Sequence, residues 1–242
     1  MNSVRSGKRV LERAAYGMGR RLPESGKRAV LAAESLLGHP PRFFIVSTGR
    51  AGSTFIAELL TRIGIPCSHE GFVTPDGIRN RLLYQGESSW LAVPFLEAGA
   101  FGDGIPIVHQ VRDPLEVLSS FYGIRFFSER KRTRFTRFAR QHFATSGDEL
   151  KDGMRWWTEW NRRCESLATL TYPVEDLEER FPEVLRTLGY APGDLDWKEA
   201  FSDLRSRKVN ARSRANLTLG DLPEGPDRDA MVDLARRYGY GY

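Results

Sequence analysis

The chain has 242 residues, of which 40% are hydrophobic and 28% charged, with 36 Lys and Arg against 31 Asp and Glu for a formal net charge of +5. That is ordinary globular composition, long enough to bury a core, and the modest positive excess suits an anionic ligand as well as nucleic acid or a membrane surface. Cys67 and Cys164 belong to no CxxC or Cys/His cluster, which argues against a zinc site and a disulfide framework, and no apolar run approaches the ~20 residues of a membrane helix.

Residues 1–41 read as a helical extension ahead of a domain spanning 42–242. Val10, Leu11, Ala14, Ala15 and Met18 recur at helical spacing. A second helix is predicted from near Ser25 through Val30, Ala33, Leu36 and Leu37, stopped by Gly38 and Pro40-Pro41. Gly7-Lys8 and Gly26-Lys27 lack an upstream glycine and a preceding strand, so they are assigned to basic helix surfaces. The basic N-terminus has no apolar h-region, Glu12 and Glu24 count against an organellar presequence, and the expected compartment is the cytoplasm.

Phe43-Phe44-Ile45-Val46 reads as a short buried strand, followed by a glycine-bearing loop and a helix over about 54–63. Gly64 stands where a helix-terminating glycine belongs, and Ile65-Pro66-Cys67 is read as a second strand. The stretch to Gly104 mixes loops with short helices. Ile105 to Val111 is the next strand, and Asp113, Pro114 and Glu116 spell an N-cap, an N1 proline and a capping box. Residues 125–145 are basic and aromatic together. A helix from about Asp148 carries Trp157, Trp160, Cys164 and Leu167 on one stripe. Leu170 to Val174 is a core strand, followed by a helix ending before Gly189, an Arg-rich loop over 205–214 and a final helix near 227–238. Strands alternating with helices predict an α/β, three-layer, mostly parallel sheet with helices on both faces and a ligand at the strand C-termini.

Ser47-Thr48-Gly49-Arg50-Ala51-Gly52-Ser53-Thr54 sits between a strand and a helix, where glycines let N–H groups converge on an anion and the helix N-terminus adds positive charge. Arg50 supplies a cation, and Ser53 and Thr54 supply hydroxyl donors. A triphosphatase loop requires Lys directly before Ser/Thr, and Gly52 stands there instead.

At this loop the sequence resembles the sulfotransferase family, whose donor is 3′-phosphoadenosine 5′-phosphosulfate. Thr48-Gly49-Arg50-Ala51-Gly52-Ser53-Thr54 looks like that family's 5′-phosphosulfate loop. A second stretch, Val111-Arg112-Asp113-Pro114 through Ser119-Ser120-Phe121-Tyr122, resembles its 3′-phosphate motif, with Arg112 and Ser120 at the binding positions and Ser119 as a competing serine. Arg112 at a strand end can fork onto phosphate oxygens, and Ser120 lies about two helical turns further on. Trp157 to Asn161 and Tyr172 to Leu177 resemble the family's late helix and Glu-Asp-Leu turn. The resemblance implies a P-loop-NTPase-like sulfotransferase fold over roughly 43–190, a metal-free donor site, and closure over the 3′-phosphate by the loop carrying Asn210, Arg212 and Arg214.

Sulfuryl transfer needs a base for the acceptor hydroxyl. The resemblance to the carbohydrate and tyrosyl-protein branches points to Glu70, and imidazole chemistry makes His69 the alternative. Arg50 stays protonated and would offset charge on the leaving phosphate oxygen. The expected acceptor is a hydroxyl compound, a carbohydrate or related metabolite, with the basic and aromatic stretch 125–138 suited to an anionic glycan. The competing classes are a kinase-type phosphotransferase, a non-catalytic nucleotide binder, and a nucleic-acid binder using 125–140.

Overall fold

The computed structural model describes residues 37–206 and 216–242. The two helices expected within 1–36 lie outside those residues, as do Asn210, Arg212 and Arg214. Of the expected extension, only its end is described, where His39 bridges Arg81.

Five strands form one parallel sheet. They are β1 (Phe43–Val46), β2 (Cys67–His69), β5 (Gly86–Ser88), β6 (Ile107–Val111) and β7 (Leu170–Pro173), in the order β2-β5-β1-β6-β7. A small antiparallel hairpin, β3 (Val73–Thr74) with β4 (Gly77–Ile78), stands apart. The helices are α1 (Ser53–Arg62), α2 (Val93–Glu97), α3 (Pro114–Gly123), α4 (Arg134–His142), α5 (Glu149–Leu167), α6 (Leu177–Thr187), α7 (Trp197–Ser206) and α8 (Pro226–Arg237). None of them is long and apolar enough to cross a membrane.

Side-chain alternation along β1 builds the three layers. Phe43 and Ile45 face one way, into a core with Ile56 and Leu60 of α1, Phe181 of α6 and Phe201 of α7. Phe44 and Val46 face the other, into a core with Leu118 of α3, Trp156, Trp157 and Trp160 of α5, and Met231 of α8. A strand buried on both faces reads as a continuous apolar run, which is why β1 is visible in the sequence. From β1 the chain goes through α1 to β2 and β5 on one side, then crosses to β6 on the other. The switch point therefore lies at the C-terminal end of β1, where the glycine loop opens.

Several elements differ from the sequence expectation. The second strand is Cys67–His69, because Ile65 N bonds back to Leu60 O and belongs to the α1 terminus behind Gly64 (φ 89). The stretch to Gly104 hides β5, a central strand of three residues, Gly86-Glu87-Ser88, with no apolar side chain to announce it. The helices α4 and α7 were not read in the sequence.

Gly86 is fixed by close approach. It pairs with Phe43 across β1 and β5, and a Cβ built on it would fall 2.0 Å from the Phe43 ring. Gly86→Ala should therefore destabilise the protein by about 1–3 kcal/mol through overpacking. Urea unfolding should show a lower midpoint, and Phe43→Leu combined with Gly86→Ala should recover part of the loss. An unchanged midpoint in the single variant would refute the account.

Candidate functional site

The loop after β1 takes a conformation that most residues avoid. Gly49, Arg50 and Gly52 have φ of 77°, 61° and 88°. Glycine adopts this region freely, whereas a side chain there costs about 1–3 kcal/mol, so Arg50 is strained. Packing adds a second constraint. A Cβ at Gly49 would sit 3.2 Å from Trp90 Cδ1, and one at Gly52 would sit 3.2 Å from Gln110 Nε2 and Val174 Cγ2.

The strain is supported by carbonyl contacts. Trp156 Nε1 donates to Thr48 O at 2.9 Å, Gln110 Nε2 donates to Ala51 O, and Arg112 Nη1 donates to Arg50 O at 3.3 Å. Gln110 is itself fixed by Tyr172, whose hydroxyl donates to Gln110 Oε1 at 2.6 Å. Helix α1 then begins on Gly52 with no side-chain cap and no acidic residue in its first turn. Phe55 N and Ile56 N donate to Gly52 O at 2.9 and 3.3 Å, while the N–H groups ahead of them at the helix start meet no capping side chain from Gly52. That is a favourable arrangement for an anion.

The second motif meets the first directly. Arg112 follows β6, and Asp113 caps α3 by accepting from Leu115 N at 2.8 Å and Glu116 N at 3.2 Å. The expected capping box does not close. Glu116 instead accepts from Arg112 Nη2 at 3.0 Å, and Asp113 N donates to Glu175 Oε1 at 3.4 Å. Arg112 offers the glutamate a charge-assisted bond, which outweighs the neutral backbone N–H. Further along α3, Ser120 Oγ accepts from Arg50 Nε at 2.7 Å. Ser119 Oγ accepts from Leu217 N at 3.1 Å and does not line the cavity, so the structure separates the two serines.

Both motifs open into one cavity of about 570 Å³. Thr48, Gly49, Arg50, Gly52, Ser53 and Thr54 line it from the loop, with Arg112 and Ser120 beside them. Ala51 does not, because it is fully buried with its carbonyl held by Gln110. His69 and Glu70 line the same cavity. Glu70 has φ 56°, and its Oε1 accepts from Trp90 Nε1 at 3.0 Å. His69 Nδ1 lies 3.0 Å from Ser88 O, which requires the proton on Nδ1 and leaves Nε2 3.9 Å from Glu70 Oε1. His109 is a core residue. Its Nε2 meets Asn161 Oδ1 at 3.0 Å, and burial pushes its pKa down to about 4.

Sequence reasoning missed Trp90, Trp156, Gln110 and Glu87. Trp156 lies one residue ahead of the tryptophan stripe, and Gln110 is an inward polar residue on a strand otherwise read as apolar. Glu87 is fully buried on β5. Its carboxyl receives the Ser68 hydroxyl and the N–H groups of Gly71 at 3.0 Å, Phe72 at 3.2 Å and Val73 at 3.5 Å. It thereby folds the turn that carries Glu70. Burial pushes the Glu87 carboxyl up to about 8, against the opposing pull of these donors.

No protein-family model matches this sequence, and no curated protein matches it. Among solved structures, a sulfotransferase from Alicyclobacillus acidocaldarius aligns with a TM-score of 0.42 at 13% identity, over 83% of this chain and 92% of that chain.

The raised Glu87 pKa fixes a sign. Between the unfolded value of 4.5 and about 8, the folded state holds a proton that the unfolded state has lost. Stability from this group is complete below pH 4.5 and is lost as pH rises toward 8, by at most ~1.4 kcal/mol per pH unit. His109 acts in the opposite sense and only below its ordinary 6.5. Between pH 6.5 and 8 the wild type should therefore lose stability in urea titrations, while Glu87→Gln should lack that slope. Equal slopes would show that Glu87 is ionised throughout.

Proposed function

We propose that this chain binds 3′-phosphoadenosine 5′-phosphosulfate and transfers its sulfuryl group to a hydroxyl acceptor. The observation that carries this reading is the Arg50–Ser120 hydrogen bond, which brings two strand-to-helix anion motifs into one cavity opposite Glu70 and His69. Two phosphate-bearing positions on one nucleotide call for two such motifs side by side.

The residues fit the donor. The uncapped N-terminus of α1 and the hydroxyls of Ser53 and Thr54 suit the 5′-phosphosulfate, and Arg112 and Ser120 suit the 3′-phosphate. When bound, the donor supplies a sulfur–oxygen bond whose cleavage releases 3′-phosphoadenosine 5′-phosphate. Arg50, beside the α1 N-terminus, is the fixed cation that would offset charge developing on the departing phosphate oxygen. Glu70 accepts the acceptor's proton as its oxygen bonds to sulfur. Its Oε1 is held by Trp90, which fixes the carboxylate and leaves Oε2 for the hydroxyl. His69 is the second group within reach of that proton, with Nε2 free of the Ser88 contact.

The kinase-type alternative fits this loop poorly. A triphosphate loop needs lysine at position 52, where φ is 88° and a Cβ presses on Gln110 and Val174.

Calorimetry with 3′-phosphoadenosine 5′-phosphate, ATP and adenosine 5′-phosphate tests the donor. The 3′-phosphorylated ligand should bind at least tenfold tighter than adenosine 5′-phosphate, an advantage that Arg112→Ala abolishes. Preference for ATP would sink the reading. In transfer assays over a panel of hydroxyl acceptors, Glu70→Gln should lower turnover by roughly 10²–10⁴-fold with nucleotide affinity unchanged. Unchanged turnover would remove Glu70 from the chemistry.

A further inference from the structure

We propose that the acceptor is a small hydroxylated acid with an apolar body, its hydroxyl at Glu70 and its anionic group at Lys131. This rests on the sulfuryl-transfer reading for the role of Glu70, and it replaces the anionic glycan expected from sequence.

The cavity extends well past the anion loop. Residues 124–136 contribute Ile124, Phe126 and Phe135 to its lining, together with Lys131, Thr133 and Thr136. This segment is linked to Glu70 through Trp90. Trp90, which holds Glu70, packs its ring edge-to-face on Phe126 and Phe138 with centroids 6.2 and 5.5 Å away. Arg134 at the start of α4 pairs with Asp76 at 3.5 Å, in the hairpin that follows the Glu70 turn. The segment is therefore tied at two points to the wall that carries the base.

Lys131 is presented by a rigid turn. Its N–H donates to Ser128 O at 2.9 Å, and its carbonyl accepts from Thr136 Oγ1 at 2.8 Å and Arg140 Nη1 at 3.2 Å. Arg140 Nη2 also donates to Ser128 O at 2.7 Å. Thr133 and Thr136 close a reciprocal capping box next to it. The turn is thus fixed before any ligand arrives, which lowers the ordering cost of binding. Among the described residues no carboxylate pairs with Lys131. A lysine among the residues lining a partly apolar cavity brings a cation that selects an anion, because charge is worth more there than in open water.

A polymer fits this segment less well. Residues 125–140 hold six arginines, one lysine and one glutamate, yet Lys131 is the cation of that segment that lines the cavity. Arg134 is paired with Asp76 and Arg140 is spent on two carbonyls. The apolar walls suit a ring-sized or branched carbon body better than a chain of hydroxyls.

Trp90 and Trp156 line the same cavity, so ligand binding can be followed by tryptophan fluorescence. The probes are 4-hydroxyphenylacetate and its neutral amide, titrated with and without saturating 3′-phosphoadenosine 5′-phosphate. The acid should bind roughly tenfold or more tightly than the amide in the wild type, the worth of one charge-assisted contact. Lys131→Met should bring the ratio to near one with nucleotide affinity unchanged, and Lys131→Arg should keep the preference. If acid and amide bind alike, or the preference survives Lys131→Met, the subsite is overturned while nucleotide binding still supports sulfuryl transfer. If the nucleotide fails to bind but the Lys131-dependent preference remains, the subsite stands and the transfer reading falls.

Discussion

The backbone from Gly49 to Gly52 runs against the preferences of an L-chain, and side chains from α5, β6 and the residue after β6 hold the loop by its carbonyls. Trp156, Gln110 and Arg112 each take one carbonyl, and Tyr172 fixes Gln110 in turn. With those carbonyls occupied, an anion at the start of α1 adds to the hydrogen bonding of the loop without competing for it. The strain at Arg50 is stored in the wall of the cavity, where the same residue reaches Ser120 through Nε.

A second strained residue, Glu70, lines the same cavity, and its support has a different chemistry. Glu70 stands at φ 56° because the next three N–H groups turn inward to the carboxyl of Glu87. A buried carboxyl accepting several donors is costly if ionised and unsupported, and burial here favours the protonated acid. The polar group in the middle of the sheet is therefore a structural post for the turn that carries the proposed base. The anion loop is held by neutral amides, an indole and a guanidinium, and the base turn by a carboxyl, so the two walls respond differently to pH.

The sequence carried some of this plainly and some not at all. The run at 43–46 and the Asp113-Pro114 start of α3 were legible because a doubly buried strand and an N-cap each have a local signature. Gly49, Gly52, Arg112 and Ser120 were singled out by the spacing of two strand-to-helix motifs, and the structure brings them to one cavity. Strand β5 was not, since Gly86, Glu87 and Ser88 are individually strand-poor and are ordered by their neighbours β1 and β2. The capping box was misread because Arg112, one residue before Asp113 in the chain, competes for Glu116. Trp90 was passed over because its role arises from contacts with residues distant in the chain, and Lys131 was read only as part of the basic stretch 125–138.

Trp90 shows why such contacts decide the site. Its Nε1 holds Glu70, its Cδ1 edge lies against Gly49, and its ring meets Trp156, Trp160, Phe126 and Phe138 within 6.2 Å. One indole thus joins the anion loop, the proposed base and the segment that carries Lys131. Phenylalanine would keep much of the packing and lose the donor to Glu70. Histidine would keep a donor and lose the area that presses on Gly49 and Phe126. Only a side chain that is large, flat and polar at one edge satisfies all three walls. The same edge of one ring therefore fixes the Gly49 backbone and the Glu70 carboxylate relative to each other.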